Sequence, residues 1–196
     1  MNLTACLRTT LLAAVLVAPV AAQADDALYL KGGFTRLTDN TQVFNSLPRT
    51  FDADGTGNFG ILFEHRTRRD ISLGVELLNY RNDFSPAGEF VPAAGAGVAS
   101  TRSVQFVVKK YLGHNVFRPF FGLGIGLAHT EVDYNDTGWT DDDVGLALQA
   151  MFGLELRFQG MGLMFEVKRM AYDMDSSLSD YNPSAIGLFV GIGFNW

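Results

Sequence analysis

Several segments alternate between apolar residues and polar residues or glycine, and charged side chains occur on the polar phase of this alternation. These charged side chains are the residues best placed to do chemistry. Four are acids and five are bases, so their charges nearly cancel. If the polar phase faces the inside of the fold, these charges are buried, and a buried charge without a partner is very costly. We therefore predict that they form a network of salt bridges that plugs the narrow interior of the fold. The nine side chains are Lys31, Glu64, Arg66, Glu76, Lys109, Glu155, Arg157, Glu166 and Lys168.

Nucleophilic catalysis would require a nucleophile, a base and an orienting acid within hydrogen-bond reach. The histidines of the chain are His65, His114 and His129, and the last is followed by Thr130 and Glu131. However, His129 falls on the apolar phase of its segment, and no serine lies at a suitable spacing. We therefore predict no catalytic residue.

Two motifs resemble ligand sites without meeting their requirements. The glycine-rich run GLGIG at 122–126 precedes no helix, so it fails the structural test for a dinucleotide-binding loop. Asp141, Asp142 and Asp143 offer the carboxylate oxygens that hard cations favour, but their spacing matches no calcium loop. We predict no cofactor and no metal, and we interpret the acidic run as solvated surface.

The start of the chain has the pattern of a secretory signal peptide. Arg8 supplies a positive charge, residues 11–22 form an apolar run, and residues 22–24 read Ala-Gln-Ala. The run is shorter than the roughly 20 residues of a membrane-spanning helix. We predict a signal peptide over residues 1–24 and one domain over residues 25–196. The single cysteine, Cys6, lies in the signal peptide, so the mature domain has neither disulfides nor thiol chemistry.

The rest of the chain alternates between apolar and polar or glycine residues with a period of two, as β-strands do. Strands of about ten residues, tilted as in a barrel, cross a hydrocarbon layer of about 25 Å. Apolar side chains would face lipid, and the barrel must close because open sheet edges in lipid leave backbone groups unpaired. The eight segments are 28–35, 59–66, 71–80, 103–109, 121–128, 144–158, 163–168 and 185–196.

The connections between these segments alternate strictly in length. Short links lie at 67–69, 113–115 and 159–160, whereas long polar links lie at 38–55, 82–100, 135–143 and 175–183. This alternation is typical of tight periplasmic turns and longer outer loops. The sequence therefore predicts an all-β fold: an eight-stranded antiparallel up-and-down transmembrane β-barrel with both termini on the periplasmic side.

Aromatic residues cluster near the ends of the predicted strands. Such residues form girdles at the two interfaces of a membrane barrel, and we predict that role here. The residues concerned are Tyr80, Phe84, Phe117, Phe120, Tyr134, Trp139, Phe158, Tyr172 and Tyr181.

The last segment ends in Phe194-Asn195-Trp196. With the signal peptide and the eight alternating segments, this ending resembles the outer-membrane β-barrel family of the OmpA/OmpX type, without a peptidoglycan-binding domain. The resemblance implies a monomer in the bacterial outer membrane, in contact with lipid and lipopolysaccharide. It also implies that the barrel-insertion machinery reads Phe194 and Trp196, although the family usually ends in Phe.

The formal net charge of −6 offers no broad basic surface for nucleic acid. Eight strands leave an interior that side chains just fill, so we expect a non-enzymatic protein with a structural or surface-interaction role. Its acidic outer loops would meet any extracellular ligand. The alternatives are a narrow gated channel, a lipid A-modifying enzyme, although the His-x-Ser pattern of lipid A deacylases is absent, and a soluble lipocalin-like barrel with its apolar side chains inside.

Overall fold

The structure is a computed structural model of the chain. It describes residues 26–37, 41–44, 47–55, 57–67, 70–86, 97–113, 116–134, 140–173, 179–180 and 184–196. The predicted signal peptide, His114 and Trp139 lie outside the described residues.

The described residues form strands joined by turns, and no helix that could span a membrane occurs among them. The strands are β1 (Asp26–Leu37), β2 (Thr41–Phe44), β3 (Leu47–Gly55), β4 (Gly57–Arg66), β5 (Ile71–Pro86), β6 (Gly97–Tyr111), β7 (Phe117–Tyr134), β8 (Thr140–Phe158), β9 (Met161–Asp173), β10 (Ser179–Asp180) and β11 (Ser184–Asn195).

Eight of the described strands close an antiparallel barrel. Strand β1 pairs with β4 on one side and with β11 on the other. The remaining pairs are β4–β5, β5–β6, β6–β7, β7–β8, β8–β9 and β9–β11. Asp26 N donates to Trp196 O at 3.2 Å and Trp196 N donates to Asp26 O at 3.1 Å, so the two ends of the described chain complete the closure. The predicted all-β, eight-stranded fold is confirmed.

The other three strands extend one end of the barrel. Strand β3 pairs with the end of β5, β2 pairs with β3, and β10 pairs with β2. The predicted long link at 38–55 does join two barrel strands, β1 and β4, but most of it forms the additional strands β2 and β3. Arg49 breaks the apolar phase there and leaves only Phe51 and Ala53 to alternate with Asp52 and Asp54, which is too short a pattern to predict a strand.

The two ends of the barrel differ in their connections. We call one the turn end, where β4–β5, β6–β7 and β8–β9 are joined by short links and where both termini of the described chain lie. Thr67 N donates to Ile71 O at 2.8 Å in the first link, and Gly113 and Gly160 take φ values of 122° and 76° in the others. We call the opposite end, with β2, β3 and β10, the loop end.

Successive side chains of each barrel strand point to opposite faces of the sheet. On β7, Leu123 and Ile125 are 66% and 52% exposed on the outer surface, while Gly122 and Gly124 face the interior. On β11, Leu188 and Val190 are exposed and Phe189 is buried. The outward phase is therefore apolar, whereas the inward phase carries the buried charged side chains together with glycines and some apolar residues. A soluble lipocalin-like barrel would have the reverse arrangement.

Candidate functional site: the charged barrel interior

Four charged side chains meet at mid-height in the barrel and form what we call the central cluster: Lys31, Glu76, Glu166 and Lys168. Lys31 Nζ lies 2.5 Å from Glu76 Oε1 and 3.1 Å from Glu166 Oε1. Lys168 Nζ lies 3.1 Å from Glu166 Oε1 and also contacts Glu76. Gln149 Nε2 donates to Glu76 Oε2 at 2.8 Å. All four charged side chains are 0% exposed, so each charge is compensated by protein groups rather than by bulk water.

A second group, the turn-end cluster, lies below it and consists of Glu64, Arg66, Glu155, Tyr29 and Tyr111. Arg66 Nη2 lies 2.9 Å from Glu155 Oε1 and 3.2 Å from Glu64 Oε2. Tyr111 Oη donates to Glu64 Oε2 at 2.8 Å, and Tyr29 Oη donates to Glu155. The Arg66 guanidinium also lies 4.6 Å from the centroid of the Tyr111 ring, a cation–π distance.

Lys109 connects the two clusters. Its Nζ lies 2.8 Å from Glu64 Oε1 and 3.3 Å from Glu166 Oε2. It also lies 4.6 Å from the centroid of the Phe120 ring. With Lys109 included, four bases and four acids form one continuous network, and its formal charge is zero. Such balance matters because breaking one partner of a buried ion pair leaves an uncompensated charge.

The ninth predicted interior charge is Arg157. Arg157 is half-buried near the turn end of β8, where it is registered opposite Gly162. Its backbone N donates to Val116 O at 2.8 Å. The structure therefore brings eight of the nine predicted side chains together in the network described above, and it places Arg157 near the turn end of β8.

Glycines on neighbouring strands provide the space that the long charged side chains occupy. Lys31 is registered between Gly60 and Gly191. Lys109 is registered opposite Gly122, where an added Cβ would lie only 2.8 Å from Lys109 Cγ. The glycines at 122, 124 and 126 thus face the lumen and make room in it, as their position in the alternation predicted.

An apolar layer packs inside the barrel above the central cluster, toward the loop end. Tyr80 and Tyr172 pack with ring centroids 5.7 Å apart. The Phe189 ring packs in the same layer, and Lys168 Nζ lies 5.3 Å from its centroid. The layer comprises Leu78, Tyr80, Ala128, Ala147, Met170, Tyr172, Ala185 and Phe189.

The predicted aromatic girdle is correct only in part. Phe117 and Phe158 are 58% and 52% exposed at the turn end, as expected of interfacial residues. Tyr80, Phe120 and Tyr172 are only 2%, 3% and 3% exposed, because they lie on the inward phase of their strands. Their prediction as girdle residues was wrong, since closeness to a strand end does not determine the face. The side chains of Phe84, Tyr134, Trp139 and Tyr181 lie outside the described residues.

Inward polar residues without a charge form a further layer near the loop end that sequence reasoning missed. Asn58 Nδ2 donates to Thr35 Oγ1 at 2.9 Å, and Thr35 Oγ1 donates to Asn82 Oδ1 at 3.2 Å. Thr101 and Thr130 share a hydrogen bond of 2.8 Å across β6 and β7. All five are buried. The same period of two that located the charges would have located these residues.

The described histidines face carboxylates at opposite ends of the barrel. His65 Nδ1 lies 2.6 Å from Asp26 Oδ1 at the turn end. His129 Nε2 lies 3.3 Å from Asp142 Oδ2 toward the loop end. Asp143 Oδ1 accepts a hydrogen bond from Val144 N at 2.7 Å. Among the described residues, no group of three or more metal-ligating side chains converges.

A closed antiparallel barrel with an apolar outer surface and a charged, filled interior defines a transmembrane β-barrel protein. The chain belongs to the outer membrane protein beta-barrel domain family, whose model matches residues 9–194. Membership of this family assigns the protein to the bacterial outer membrane. No curated protein sequence matches the chain significantly.

Solved structures of small outer-membrane barrels share this fold. Neisserial surface protein A is 11% identical with a TM-score of 0.62, covering 89% of this chain and 100% of its own. The outer membrane protein OprG from Pseudomonas aeruginosa is 13% identical with a TM-score of 0.58, covering 87% and 95%. The attachment invasion locus protein Ail of Yersinia pestis is 11% identical with a TM-score of 0.54, covering 88% and 98%. At these identities the likeness concerns the fold.

Proposed function

We propose that the protein is a non-enzymatic outer-membrane barrel with a closed lumen, which acts as a structural or surface-interaction protein through its loop end. The single observation that carries this proposal is the eight-residue ion network, in which four bases are matched by four acids across the full width of the barrel. The apolar layer adjacent to it obstructs the same path.

A narrow gated channel would have to open through this network. Any opening wide enough for a hydrated ion must separate Lys31 or Lys168 from Glu76 and Glu166, all of which are 0% exposed. Separation of buried partners costs several kcal/mol per ion unless water replaces them. The closed state therefore accounts for the geometry better than a channel does.

A lipid-modifying enzyme would need an activated nucleophile on the outer surface near one leaflet. His129 is oriented by Asp142, but its register neighbours are Arg102 and Val144 rather than a serine. His65 is paired with Asp26, and its register partner on β5 is Leu73. These surroundings supply an acid and a base without a nucleophile, which supports a non-enzymatic role.

The proposed orientation has the turn end in the periplasm and the acidic loop end outside the cell. Outer-membrane barrels have short periplasmic turns and longer extracellular loops, and the connections here divide in the same way. Phe194 and Trp196 are 51% and 55% exposed on the outer surface of the last strand, so they are accessible to the insertion machinery before lipid covers them.

Two experiments test the proposal. In vesicles that contain the folded protein, we expect no uptake of small ions or sugars above that of protein-free vesicles, whereas uptake would contradict a closed lumen. We also expect mass spectrometry to show the same acylation pattern for lipid A from cells that contain the protein and from cells that lack it. A new or missing acyl chain would contradict a non-enzymatic role.

A further inference from the structure

Two outward-facing arginines flank one apolar residue near the loop end. Arg36 of β1 and Arg169 of β9 are each registered against Ile186 of β11, from opposite sides. Registered partners point to the same face of a sheet, and adjacent strands lie about 4.8 Å apart, so the two arginine Cα atoms are about 10 Å apart. Both arginines are exposed. Two long cationic side chains can therefore reach a single anionic group above Ile186.

The registered residues Arg36, Ile186 and Arg169 form a row across three strands, and this row marks the border of the apolar outer surface. The next row toward the turn end consists of Phe34, Leu188 and Val167, and the rows below it are apolar as well. Leu28, at the turn end of the same face, precedes Arg36 by eight residues. That distance is about 26 Å along the strand, or about 20 Å in height for a tilted strand. The arginines thus lie close to the headgroup level of one leaflet, given an apolar band of about 25 Å.

An apolar groove adjoins Arg169 on the same outer surface. Its volume is about 260 Å³. Ala150 is registered beside Arg169 and lines the groove, together with the exposed ring of Phe152 and atoms of Met151 and Lys168. Val167 and Ile186 line the remaining sides. The groove is open toward the outer surface of the barrel.

We propose that Arg36, Arg169 and this groove bind one phosphorylated glycolipid of the outer leaflet, with the phosphate on the arginines and an acyl chain in the groove. Guanidinium groups bind phosphate through paired, charge-assisted hydrogen bonds. Both guanidinium groups lie on exposed residues of the outer surface, where a ligand can reach them. The inference rests on the proposed orientation, in which the loop end lies in the outer leaflet.

Native mass spectrometry of the folded protein in detergent tests this site with two probes, bisphosphorylated lipid A and dephosphorylated lipid A. We expect the wild type to retain the first probe and not the second. The R36Q/R169Q double variant should lose about tenfold in affinity, equivalent to about 1.4 kcal/mol. Arg102→Gln is the matched control, because Arg102 is also exposed and outward-facing but lies on β6, away from the groove. Its affinity should remain that of the wild type.

The outcomes separate this inference from the proposed function. An equal loss in Arg102→Gln would show diffuse attraction by any outward arginine and would overturn the site, as would unchanged binding in the double variant. Ala150→Phe fills the groove and leaves both arginines in place, so it should also weaken binding. Electrophoretic mobility with and without heating verifies that each variant is folded. Because the readout is lipid binding in detergent, it does not depend on whether the lumen conducts.

Discussion

Lys109 and Glu64 form the ion pair that links the two halves of the barrel interior, with 2.8 Å between Nζ and Oε1. Lys109 also reaches Glu166, so a single side chain joins the turn-end cluster to the central cluster. The charged part of the interior is therefore one network rather than two separate clusters. Removal of a charge from either cluster should therefore also weaken the ion pairs of the other cluster.

The first prediction concerns this link. Lys109→Met retains much of the volume but leaves Glu64 and Glu166 with one base fewer. We expect a loss of about 3–5 kcal/mol in the free energy of unfolding, because a buried charge is left uncompensated. Urea unfolding of the wild type and the variant in lipid vesicles measures this difference in the free energy of unfolding.

The neighbouring residue provides the control for this variant. Lys110 is half-buried, and Lys110→Met should change the free energy of unfolding by less than about 1 kcal/mol. The double variant K109M/E64Q restores equal numbers of acids and bases and should recover part of the loss. Equal effects at positions 109 and 110 would contradict a continuous network.

The second prediction concerns a close approach between strands. A Cβ at Gly193 would lie 2.3 Å from Tyr29 Cε1, and Tyr29 is fully buried. Gly193→Ala should therefore destabilise the barrel by about 1–3 kcal/mol through overpacking. At Gly32 the nearest atom to an added Cβ is Asn58 O at 3.9 Å, so Gly32→Ala should be neutral or slightly stabilising. Unfolding midpoints in the same urea series distinguish the two, and similar values would refute the packing of Tyr29.

The third prediction tests which face meets lipid. Phe165 and Ala171 both point outward from β9, but Phe165 lies near mid-height and Ala171 lies close to the loop end. Phe165→Arg should cost about 2–4 kcal/mol, and Ala171→Arg about 1 kcal/mol or less, because the cost of a charge falls toward the interface. The free energy of unfolding in vesicles provides the comparison. A cost that does not depend on depth would mean that β9 does not cross the hydrocarbon layer.

The fourth prediction concerns assembly. Trp196→Ala should lower the amount of folded protein in the outer membrane, because the terminal aromatic is expected to be read by the insertion machinery. The stability of protein refolded in vitro should change little, since Trp196 is 55% exposed. Phe117→Ala is the control, because Phe117 is 58% exposed at the same end of the barrel. Heat-shifted bands in outer-membrane fractions quantify assembly. Equal yields of folded protein for the two variants would exclude an insertion signal at Trp196.

The barrel and its two faces were predictable because alternation has a period of two and a membrane inverts the usual arrangement of polar and apolar residues. Ile125 and Gly124 illustrate this, since adjacent positions took opposite faces as expected. The pairing within the interior was not predictable. Tyr29 and Glu155 are 126 positions apart, and they meet across the lumen from strands that do not pair with each other.

Two other features escaped sequence reasoning for different physical reasons. Strand β3 has only a short apolar alternation, because an extension beyond the hydrocarbon layer has no lipid to face. Tyr80 and Tyr172 were assigned to the membrane interface by their nearness to strand ends. In the structure they fill the lumen, since in a strand the face is determined by phase and not by height.

Single-channel recording in planar bilayers tests the closed lumen most directly. The wild-type protein, verified as folded by its electrophoretic heat shift, is predicted to produce no conductance steps at either polarity. The variant Phe189→Ala removes a large side chain from the apolar layer and should remain silent as well, because the ion network below it is intact. Reproducible steps in the wild type, with an ion selectivity that changes in Glu76→Gln, would contradict the account and establish a channel through the central cluster.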